Sequence, residues 1–368
     1  MIMLRGIYIH IPFCSEKCPY CDFVSIVEEN SDIHKEYINS ILKEIDLYIE
    51  EDFSVKSIYF GGGTPSLLKP DLIAFLVENI FKKVRINNRP EITVEVNPEN
   101  YRFADFKILK EAGINRISIG SQSFLEKNLK ALERKHSPED VLKTVDSAFK
   151  AGIENINLDM IYGITGQSLS DLEKDLKAYI SLPVKHISAY MLTAYENTPL
   201  GIEVEKGRYL LPEDSIILDM FKMIDEYLEQ NGFCRYEISN WAQKGYQCRH
   251  NLLYWEGEQF LGLGVSAWSY LNGVRFGNTN NLRLYSKIVN EGKKPAVFFE
   301  KITPEERRKE SIFLGLRLSK GIDLDIVKDK MPFIEQIVNE GLAQVKDGRL
   351  ILTEEGILVS NYISSMLI

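Results

Sequence analysis

The sequence lacks any uncharged apolar run close to the roughly 20 residues that a membrane-spanning helix needs. It also lacks an excess of positive charge, because 44 Lys and Arg stand against 53 Asp and Glu and the formal net charge is −9. Such a chain has no long-range attraction for phosphate backbones, so we expect no nucleic-acid partner. The apolar start, MIMLRGIYIHIPF, has no small-residue cleavage site and is interpreted as a strand. We expect a cytoplasmic protein.

Cysteine is scarce, and its number, five, is odd for a disulfide framework. Three of the five, Cys14, Cys18 and Cys21, lie within eight positions near the N-terminus. This crowding suits a metal centre in a reducing compartment. Cys234 and Cys248 stand apart, and we expect both to be small buried hydrophobic side chains.

A repeating unit is present instead, from Gly6 to about Asn231, in which a short β-branched run precedes an amphipathic helical stretch such as residues 33–49. Strands that alternate with helices predict parallel pairing through right-handed crossovers. Six units are two short of a closed eight-stranded barrel. The sequence therefore predicts an α/β fold, a partial (β/α)6 barrel that forms a domain of residues 1–231. The predicted strands cover residues 7–11, 57–62, 92–98, 116–123, 156–163 and 186–192.

The pattern changes after residue 231, where the chain becomes rich in aromatic residues and glycine and shows no repeat. We interpret residues 232–368 as a second, α+β domain. In its tail, from about Thr303, helical stretches precede two apolar runs that flank Asp347-Gly348, a strong hairpin signal. Helices with a hairpin predict a winged-helix-like segment over residues 303–368, and the acidic balance favours packing over DNA binding.

Cys14, Cys18 and Cys21 have the spacing C-x3-C-x2-C on a loop directly after the first predicted strand. A zinc site normally adds a second ligand pair about 12 to 20 residues further on. Here the next histidine is His34 and no cysteine follows until Cys234. A cubane cluster held by three thiolates keeps one iron open for another ligand. The motif favours a [4Fe–4S] cluster, with zinc as the alternative.

This loop, with the aromatic Tyr20 before the last cysteine, resembles that of the radical S-adenosylmethionine (SAM) enzymes. The resemblance implies that the open iron binds the amino and carboxylate groups of SAM. It also implies that reduction of the cluster can cleave the sulfonium to a 5′-deoxyadenosyl radical. Whether this chain cleaves SAM is left open by its sequence.

Four predicted strands end in polar or glycine residues, within GGGTP, EVNP, GSQS and LDMIYG. The loops at the carboxyl ends of parallel strands converge, so we expect these endings to face one mouth. Glycines after the second strand allow a close backbone approach to a ligand, unless they only form a turn. Glu95 is a candidate acceptor for an amino group, and Gln122, Arg134 and Asp159 are candidate anchors for the carboxylate and ribose. The alternatives are a solvated carboxylate for Glu95 and surface salt bridges for Arg134 and Asp159.

Longer stretches resemble one group of this family, the oxygen-independent coproporphyrinogen III oxidase-like proteins. They are YIHIPFCSEKCPYCDF, YFGGGTPSLL, EVNPE, INRISIGSQSF, NLDMIYGITGQS, HISAYMLT, RYEISNWA and HNLLYWEGEQFLGLG. Carried over residue by residue, the resemblance implies cofactor contacts at Tyr8, Tyr20, Gly62, Gly63, Thr64, Glu95, Gln122, Arg134 and Asp159.

Two branches of this group differ at one position. The coproporphyrinogen dehydrogenases carry a further cysteine two positions after the third, where this chain has Phe23. The heme-chaperone branch, HemW, resembles this chain in that phenylalanine and in the motif H-N-x-x-Y-W, here residues 250–255. The resemblance implies a chaperone that binds heme and delivers it to acceptors such as respiratory cytochromes, without coproporphyrinogen oxidase activity. The alternatives are that oxidase, and a radical enzyme acting on another substrate.

His250 is the candidate heme ligand, since a neutral imidazole is a common axial ligand and Tyr254 and Trp255 offer flat apolar area. The alternative is a histidine that caps a turn beside a core Tyr-Trp pair. Cys248 is a second candidate ligand. Trp268 stands where many members of the family have histidine. One candidate ligand is therefore absent, which strengthens the case for His250 as the heme ligand. Homodimerisation, the identity of the acceptor, the mode of heme attachment and membrane contact through a partner stay open. The other histidines are expected to be structural or solvated, namely His10, His34, His136 and His186.

Overall fold

The computed structural model describes residues 6–48 and 54–368, with the side chains of residues 85–88 left out. Two short 3₁₀ helices occupy Pro65–Leu67 and Leu324–Lys330. The strands are β1 (Gly6–Ile11), β2 (Phe13–Cys14), β3 (Ile26–Val27), β4 (Ser54–Gly62), β5 (Arg85–Val96), β6 (Arg116–Gln122), β7 (Asn155–Tyr162), β8 (His186–Met191), β9 (Cys234–Glu237), β10 (Asn240–Ala242), β11 (Phe260–Leu263), β12 (Trp268–Leu271), β13 (Val274–Asn278), β14 (Ala296–Lys301), β15 (Ile322–Asp323), β16 (Ala343–Lys346) and β17 (Arg349–Leu352).

Helices follow most of the parallel strands. They are α1 (Ser31–Asp46), α2 (Pro70–Phe81), α3 (Phe103–Glu111), α4 (Glu126–Ala131), α5 (Pro138–Lys150), α6 (Leu169–Ile180), α7 (Pro199–Glu205), α8 (Asp214–Gln230), α9 (Arg249–Trp255), α10 (Leu282–Asn290), α11 (Pro304–Gly315), α12 (Met331–Asn339), α13 (Glu354–Leu358) and α14 (Ser360–Leu367). None of these helices is long and apolar enough to cross a bilayer.

Strands β1, β4, β5, β6, β7 and β8 are adjacent and parallel in that order. They correspond to the six predicted strands, so the predicted α/β fold with a partial six-stranded barrel is confirmed. Along each strand, apolar residues such as Ile7, Ile9 and Ile11 pack in the main core with α1. The alternate positions carry polar residues that contact one another inside the barrel.

The strands after residue 231 continue the same sheet at both ends. β11 pairs parallel to β1, and β10 pairs antiparallel to β8. β12, β13 and β14 extend one end and β9 the other, giving a sheet of twelve strands. Because sheet and core are continuous across residue 231, the division of the chain there stays a prediction.

Glu44 on α1 ties the N-terminal half to the C-terminal strands. Its buried carboxylate accepts hydrogen bonds from the Gly264 amide (2.7 Å), the Asn278 side chain (2.6 Å) and the Tyr285 hydroxyl (2.6 Å). Burial raises the pKa of Glu44 to about 7. Three donors from separate elements on one carboxylate fix how α10, β13 and the loop after β11 lie against α1.

The C-terminal segment has a core of its own. A three-stranded sheet in the order β15-β17-β16 packs with α11, α12 and α14. Asp347 (φ 51°) and Gly348 (φ 73°) form the two-residue turn between β16 and β17 with the positive φ angles that such a hairpin requires. The predicted hairpin and winged-helix-like segment are confirmed.

The two isolated cysteines differ. Cys248 is buried, as predicted. The prediction for Cys234 is wrong, because its side chain is exposed. Cys234 begins β9, the edge strand of the large sheet, and the sequence pattern gave no sign that β9 lies at an edge.

Candidate cofactor-binding site

A cavity of about 830 Å³ opens at the carboxyl ends of the barrel strands. Residues from all four of the polar strand endings line it, so the prediction that these endings face one mouth is confirmed. The cysteine loop closes one side of this cavity, and the segment around α13 and α14 lies on another. Every predicted site residue lines the cavity except Tyr8, His250 and the second candidate heme ligand, Cys248.

The cysteine loop connects two short strands, β2 and β3, which pair in parallel. Cys14 ends β2, while Cys18 and Cys21 form a turn in which the Cys21 amide donates to the Cys18 carbonyl (3.1 Å). The Thr64 hydroxyl lies 3.5 Å from the Cys14 sulfur. Tyr20 packs into an apolar cluster below the loop, which orients the turn toward the cavity. Phe23 is 67% exposed just beyond the last cysteine.

Packing within the protein requires glycine at two positions at the end of β4 and in the loop after it. A Cβ on Gly62, whose φ is +117°, would lie 2.6 Å from the His10 ring. A Cβ on Gly63 would lie 2.7 Å from the Phe13 carbonyl oxygen. These contacts let the loop after β4 pack directly against the chain that leads into the cysteine loop. Glycine at both positions therefore sets the distance between Thr64 and Cys14.

The three thiols fit a multi-iron cluster. All three cysteines are free and face one cavity. Across the described part of the chain, no three His, Cys, Asp or Glu side chains are placed to hold a single metal ion. In a cubane each thiolate binds a different iron, so three free thiols on one cavity wall are the kind of donor set that such a cluster takes. Burial raises the pKa of Cys14 and of Cys21, so binding iron must displace protons from these thiols.

Arg134 reaches the cysteine loop from the segment after α4. Its Nη1 donates to the Cys18 sulfur (3.2 Å), and its Nη2 donates to the Asn97 side chain and to the Gly120 carbonyl oxygen (3.4 Å). Its Nε is buried and has no hydrogen-bond partner among the described residues. A buried guanidinium with an open donor beside the loop is suited to an anionic ligand group.

Glu95 and Asp159 bring two carboxyl groups to the cavity wall. Glu95 accepts hydrogen bonds from the Tyr59 hydroxyl (2.8 Å) and the Gly62 amide (3.3 Å). Asp159 accepts from Asn157 (2.8 Å) and Ser118 (3.3 Å). Burial raises the pKa of Glu95 to about 7 and raises that of Asp159 as well. This wall favours a ligand with donor or cationic groups.

Gln122 ends β6 in a strained backbone conformation, with φ at +61°. A non-glycine residue with this φ is uncommon and concentrates at functional sites. The register between β6 and β7 shifts between Ile119 and Gln122, which accompanies the strained residue at the end of the strand. The Gln122 side chain lines the cavity.

His250 and Tyr8 lie deeper, toward the base of the barrel. The Tyr8 hydroxyl bonds to His10 Nδ1 (3.2 Å). His250 is 1% exposed, and its Nδ1 bonds to the Ser57 hydroxyl (2.8 Å) while its Nε2 bonds to the Tyr254 hydroxyl (2.9 Å). Burial lowers the pKa of His250 to about 3, so the imidazole is neutral.

The N-terminus of α9 rests on Glu91 of β5. The carboxylate accepts from the Arg249 amide (3.1 Å) and the His250 amide (3.1 Å), and the Cys248 thiol lies 3.5 Å from it. Burial raises the pKa of Cys248 to about 12, which keeps it a neutral thiol. In this arrangement α9, which contains the whole H-N-x-x-Y-W motif, plugs the base of the barrel.

Sequence reasoning missed the polar interior beneath the site. Arg116 is 2% exposed there, and His186 bonds to Asn157 (2.6 Å) and to the Tyr236 hydroxyl (2.8 Å). Asn157 in turn donates to Ser118 (2.7 Å). The available signal was the alternation of polar residues within strands that the βα pattern predicts to be buried on both faces.

Comparisons with known proteins agree with this geometry. The sequence pattern described as the Radical SAM superfamily matches residues 8–178, and that of the HemN C-terminal domain matches residues 302–359. The heme chaperone HemW of Bacillus subtilis (strain 168) is 32% identical over 370 residues, 97% of each chain. HemW of Escherichia coli (strain K12) is 38% identical over 267 residues, 71% of this chain and 69% of that one.

Among solved structures, coproporphyrinogen III oxidase (HemN) from Escherichia coli, a radical SAM enzyme, superposes with a TM-score of 0.84. The match covers 99% of this chain and 90% of that one at 21% identity, and it establishes a shared fold. The radical SAM family implies a [4Fe–4S] cluster and SAM as cofactors. With a superfamily match over the barrel and HemW relatives similar along nearly its whole length, the chain belongs to the HemW family of radical SAM proteins.

Proposed function

We propose that this protein is a cytoplasmic heme chaperone, which binds heme and delivers it to heme-requiring proteins such as respiratory cytochromes. The observation that carries the proposal is the similarity to relatives named heme chaperone, which extends over 97% of both chains in the Bacillus subtilis protein. Phe23, in place of the further cysteine of the coproporphyrinogen dehydrogenases, supports a carrier over an enzyme that makes porphyrin.

We assign the [4Fe–4S] cluster and SAM to the cavity at the carboxyl ends of the barrel strands. Cys14, Cys18 and Cys21 would hold a [4Fe–4S] cluster, which supplies an open iron for SAM and an electron when reduced. Glu95 and Asp159 offer acceptors for the amino and ribose groups. Arg134 and Gln122 offer donors on the same wall. Of the remaining proposed contacts, Tyr20, Gly62, Gly63 and Thr64 line the cavity, whereas Tyr8 lies deeper in the barrel.

His250 stays the proposed axial ligand of heme, and the structure defines what this role requires. Both ring nitrogens already have partners, so ligation would have to break the bond to Tyr254 or to Ser57 and expose the ring. Tyr254→Phe removes the partner of Nε2 without removing the imidazole. We expect this variant to bind hemin at least as tightly as the wild type.

A single anaerobic experiment tests the function and the ligand separately. The protein is reconstituted with iron and sulfide, hemin is titrated by absorbance, and coproporphyrinogen III is incubated with SAM and a reductant. We expect stoichiometric hemin binding and no protoporphyrinogen. Protoporphyrinogen formation at enzymatic rates would refute the chaperone proposal.

The ligand assignment is tested by His250→Ala. Its matched control is His186→Ala, because His186 is equally buried inside the barrel with both ring nitrogens bonded. We expect weaker hemin binding and an altered absorbance spectrum for the His250 variant alone. Equal effects in both variants, or none, would remove His250 as ligand and leave the chaperone proposal intact.

A further inference from the structure

The cavity has two chemically different ends. The end at the cysteine loop is polar and carries the proposed cofactor contacts. The other end lies between β8, α8 and the C-terminal segment, and it carries the exposed side chains of Tyr190 and Met191. Its remaining apolar lining is formed by Ile217, Phe221, Ile238, Ile357 and Leu358.

Arg317 is the cation of this apolar end. It lies just after α11, between the buried side chains of Leu316 and Leu318, and it lines the cavity. Its guanidinium stacks over the Trp255 ring, 4.7 Å from the centroid, which holds the head group in place. Trp255 is the last residue of the H-N-x-x-Y-W motif, so the end of α9 supports Arg317 from outside the cavity lining.

Arg317 has no anion of its own. Its Nε is buried without a hydrogen-bond partner, and within residues 6–48 and 54–368 no carboxylate lies at ion-pair distance from it. The carboxylate of Glu237 influences it electrostatically, but that carboxylate already accepts from the Ser239 amide (3.1 Å) and the Asn251 side chain (3.3 Å). Burial lowers the pKa of Arg317, and the charge of Glu237 offsets this effect only in part.

Two other cations that line the cavity have partners of their own, and a third, Lys17, belongs to the cysteine loop. Arg134 donates to Cys18, and Lys135 pairs with Glu16 at 2.5 Å. The lining of the same cavity includes neutral polar side chains from Ser239, Ser360 and Asn361. An open guanidinium in a cavity that also has apolar and neutral polar lining suits a ligand with a flat apolar body and a carboxylate at its edge.

We propose that Arg317 is the anchor of an anion subsite that binds a propionate carboxylate of heme, with the macrocycle against the apolar end of the cavity. This inference rests on the proposed heme function, adds the place and polarity of heme binding, and is independent of the His250 proposal, since His250 does not line the cavity. A guanidinium can hold a carboxylate with two parallel N–H donors, which fixes the orientation of the ring as well as its position.

The test compares hemin with hemin dimethyl ester, whose two carboxylates are blocked, in absorbance titrations of the reconstituted protein. We expect the wild type to bind the ester about 10- to 100-fold more weakly, the range for a hydrogen bond to a charged group. Arg317→Gln should weaken hemin binding by a similar factor and leave ester binding unchanged. The matched control is Lys309→Gln on α11, which removes an equal charge outside the cavity lining and should bind both ligands like the wild type.

Two results would overturn the subsite: equal hemin affinity of Arg317→Gln and wild type, or equal discrimination against the ester by both. If Arg317→Gln does not fold, the wild-type comparison of hemin with the ester decides, and equal affinities overturn the subsite. Arg317→Lys, which keeps the charge and loses the fork, is expected to show an intermediate loss. A wild type that binds neither ligand refutes the heme function itself, which distinguishes the two failures.

Discussion

The mouth and the base of the barrel are built from the same strands but differ in how their polar groups are satisfied. At the base, Glu91 accepts two backbone amides, and both ring nitrogens of His250 have partners. At the mouth, Arg134 Nε lacks a partner within the described chain, and Gln122 is held in a strained conformation. Arg116 Nε in the interior and Trp255 Nε1 in α9 also lack partners within the described chain. The difference therefore concerns Glu91 and His250, whose paired groups make α9 a structural plug, whereas the open donor of Arg134 leaves the mouth suited to a ligand.

The largest effect expected from this comparison is at the cysteine loop. Cys18→Ser removes one of three thiolates, and we expect the reconstituted variant to lose its iron and its visible absorbance. Because the loop lies outside the barrel core, the thermal unfolding midpoint of the protein without iron should stay within about 2 °C of the wild type. A Cys18 variant that retained the full iron content would show that the cluster lies elsewhere.

At the base, we expect Glu91→Ala to lower the free energy of unfolding by about 3–5 kcal/mol, since it leaves the amides of α9 unpaired and the buried Arg116 with less compensating charge. Urea unfolding measures the change. Glu305→Ala on the surface of α11 is the control and should stay within about 0.5 kcal/mol of the wild type. A Glu91 variant as stable as this control would contradict the plug.

His250→Ala is expected to have a smaller effect, lowering the free energy of unfolding by about 2–3 kcal/mol because the Ser57 and Tyr254 hydroxyls lose their shared partner. SAM affinity of the reconstituted variant should equal that of the wild type, because His250 does not line the cavity. Equilibrium dialysis measures this SAM affinity. A large loss of SAM binding with unchanged stability would show that His250 belongs to the ligand-binding mouth and not to the structural base.

The smallest effect concerns Glu95, whose pKa burial raises to about 7. Tyr59, Asp159 and Arg116 are the groups that face it from the neighbouring strands. Only the ionised carboxylate accepts on both oxygens, so its contribution to SAM binding should appear as pH rises through about 7. We expect Glu95→Gln to bind SAM about tenfold more weakly at pH 8 and with little difference at pH 6. A constant ratio of affinities from pH 6 to 8 would contradict this role.

Much of the molecule could be predicted because its signals are local. The six β-branched runs, the Asp347-Gly348 turn and the polar strand endings each report a nearby structure, and parallel topology then brings the endings together. The base could not be predicted, since it depends on Glu91 meeting α9, more than 150 positions later in the chain. For the same reason the sequence did not show that both ring nitrogens of His250 are hydrogen-bonded, one to Ser57 and the other to Tyr254.

The strands that extend the large sheet at its two ends could not be predicted from the sequence either. The pairing of β11 with β1 and of β10 with β8 joins distant segments whose short apolar runs carry no register information. Cys234 shows the consequence, because a small apolar residue on an unrecognised edge strand was expected to be buried and is exposed.

Heme transfer to an acceptor is the defining activity of a heme chaperone and can be measured directly. The reconstituted protein is loaded with one equivalent of hemin, freed of excess ligand and mixed with an apo-cytochrome, and the spectrum of the acceptor is followed over time. We expect heme to move to the acceptor faster from this protein than from a hemin-loaded carrier such as albumin. Transfer no faster than this passive release would contradict the assignment of the chain as a heme chaperone.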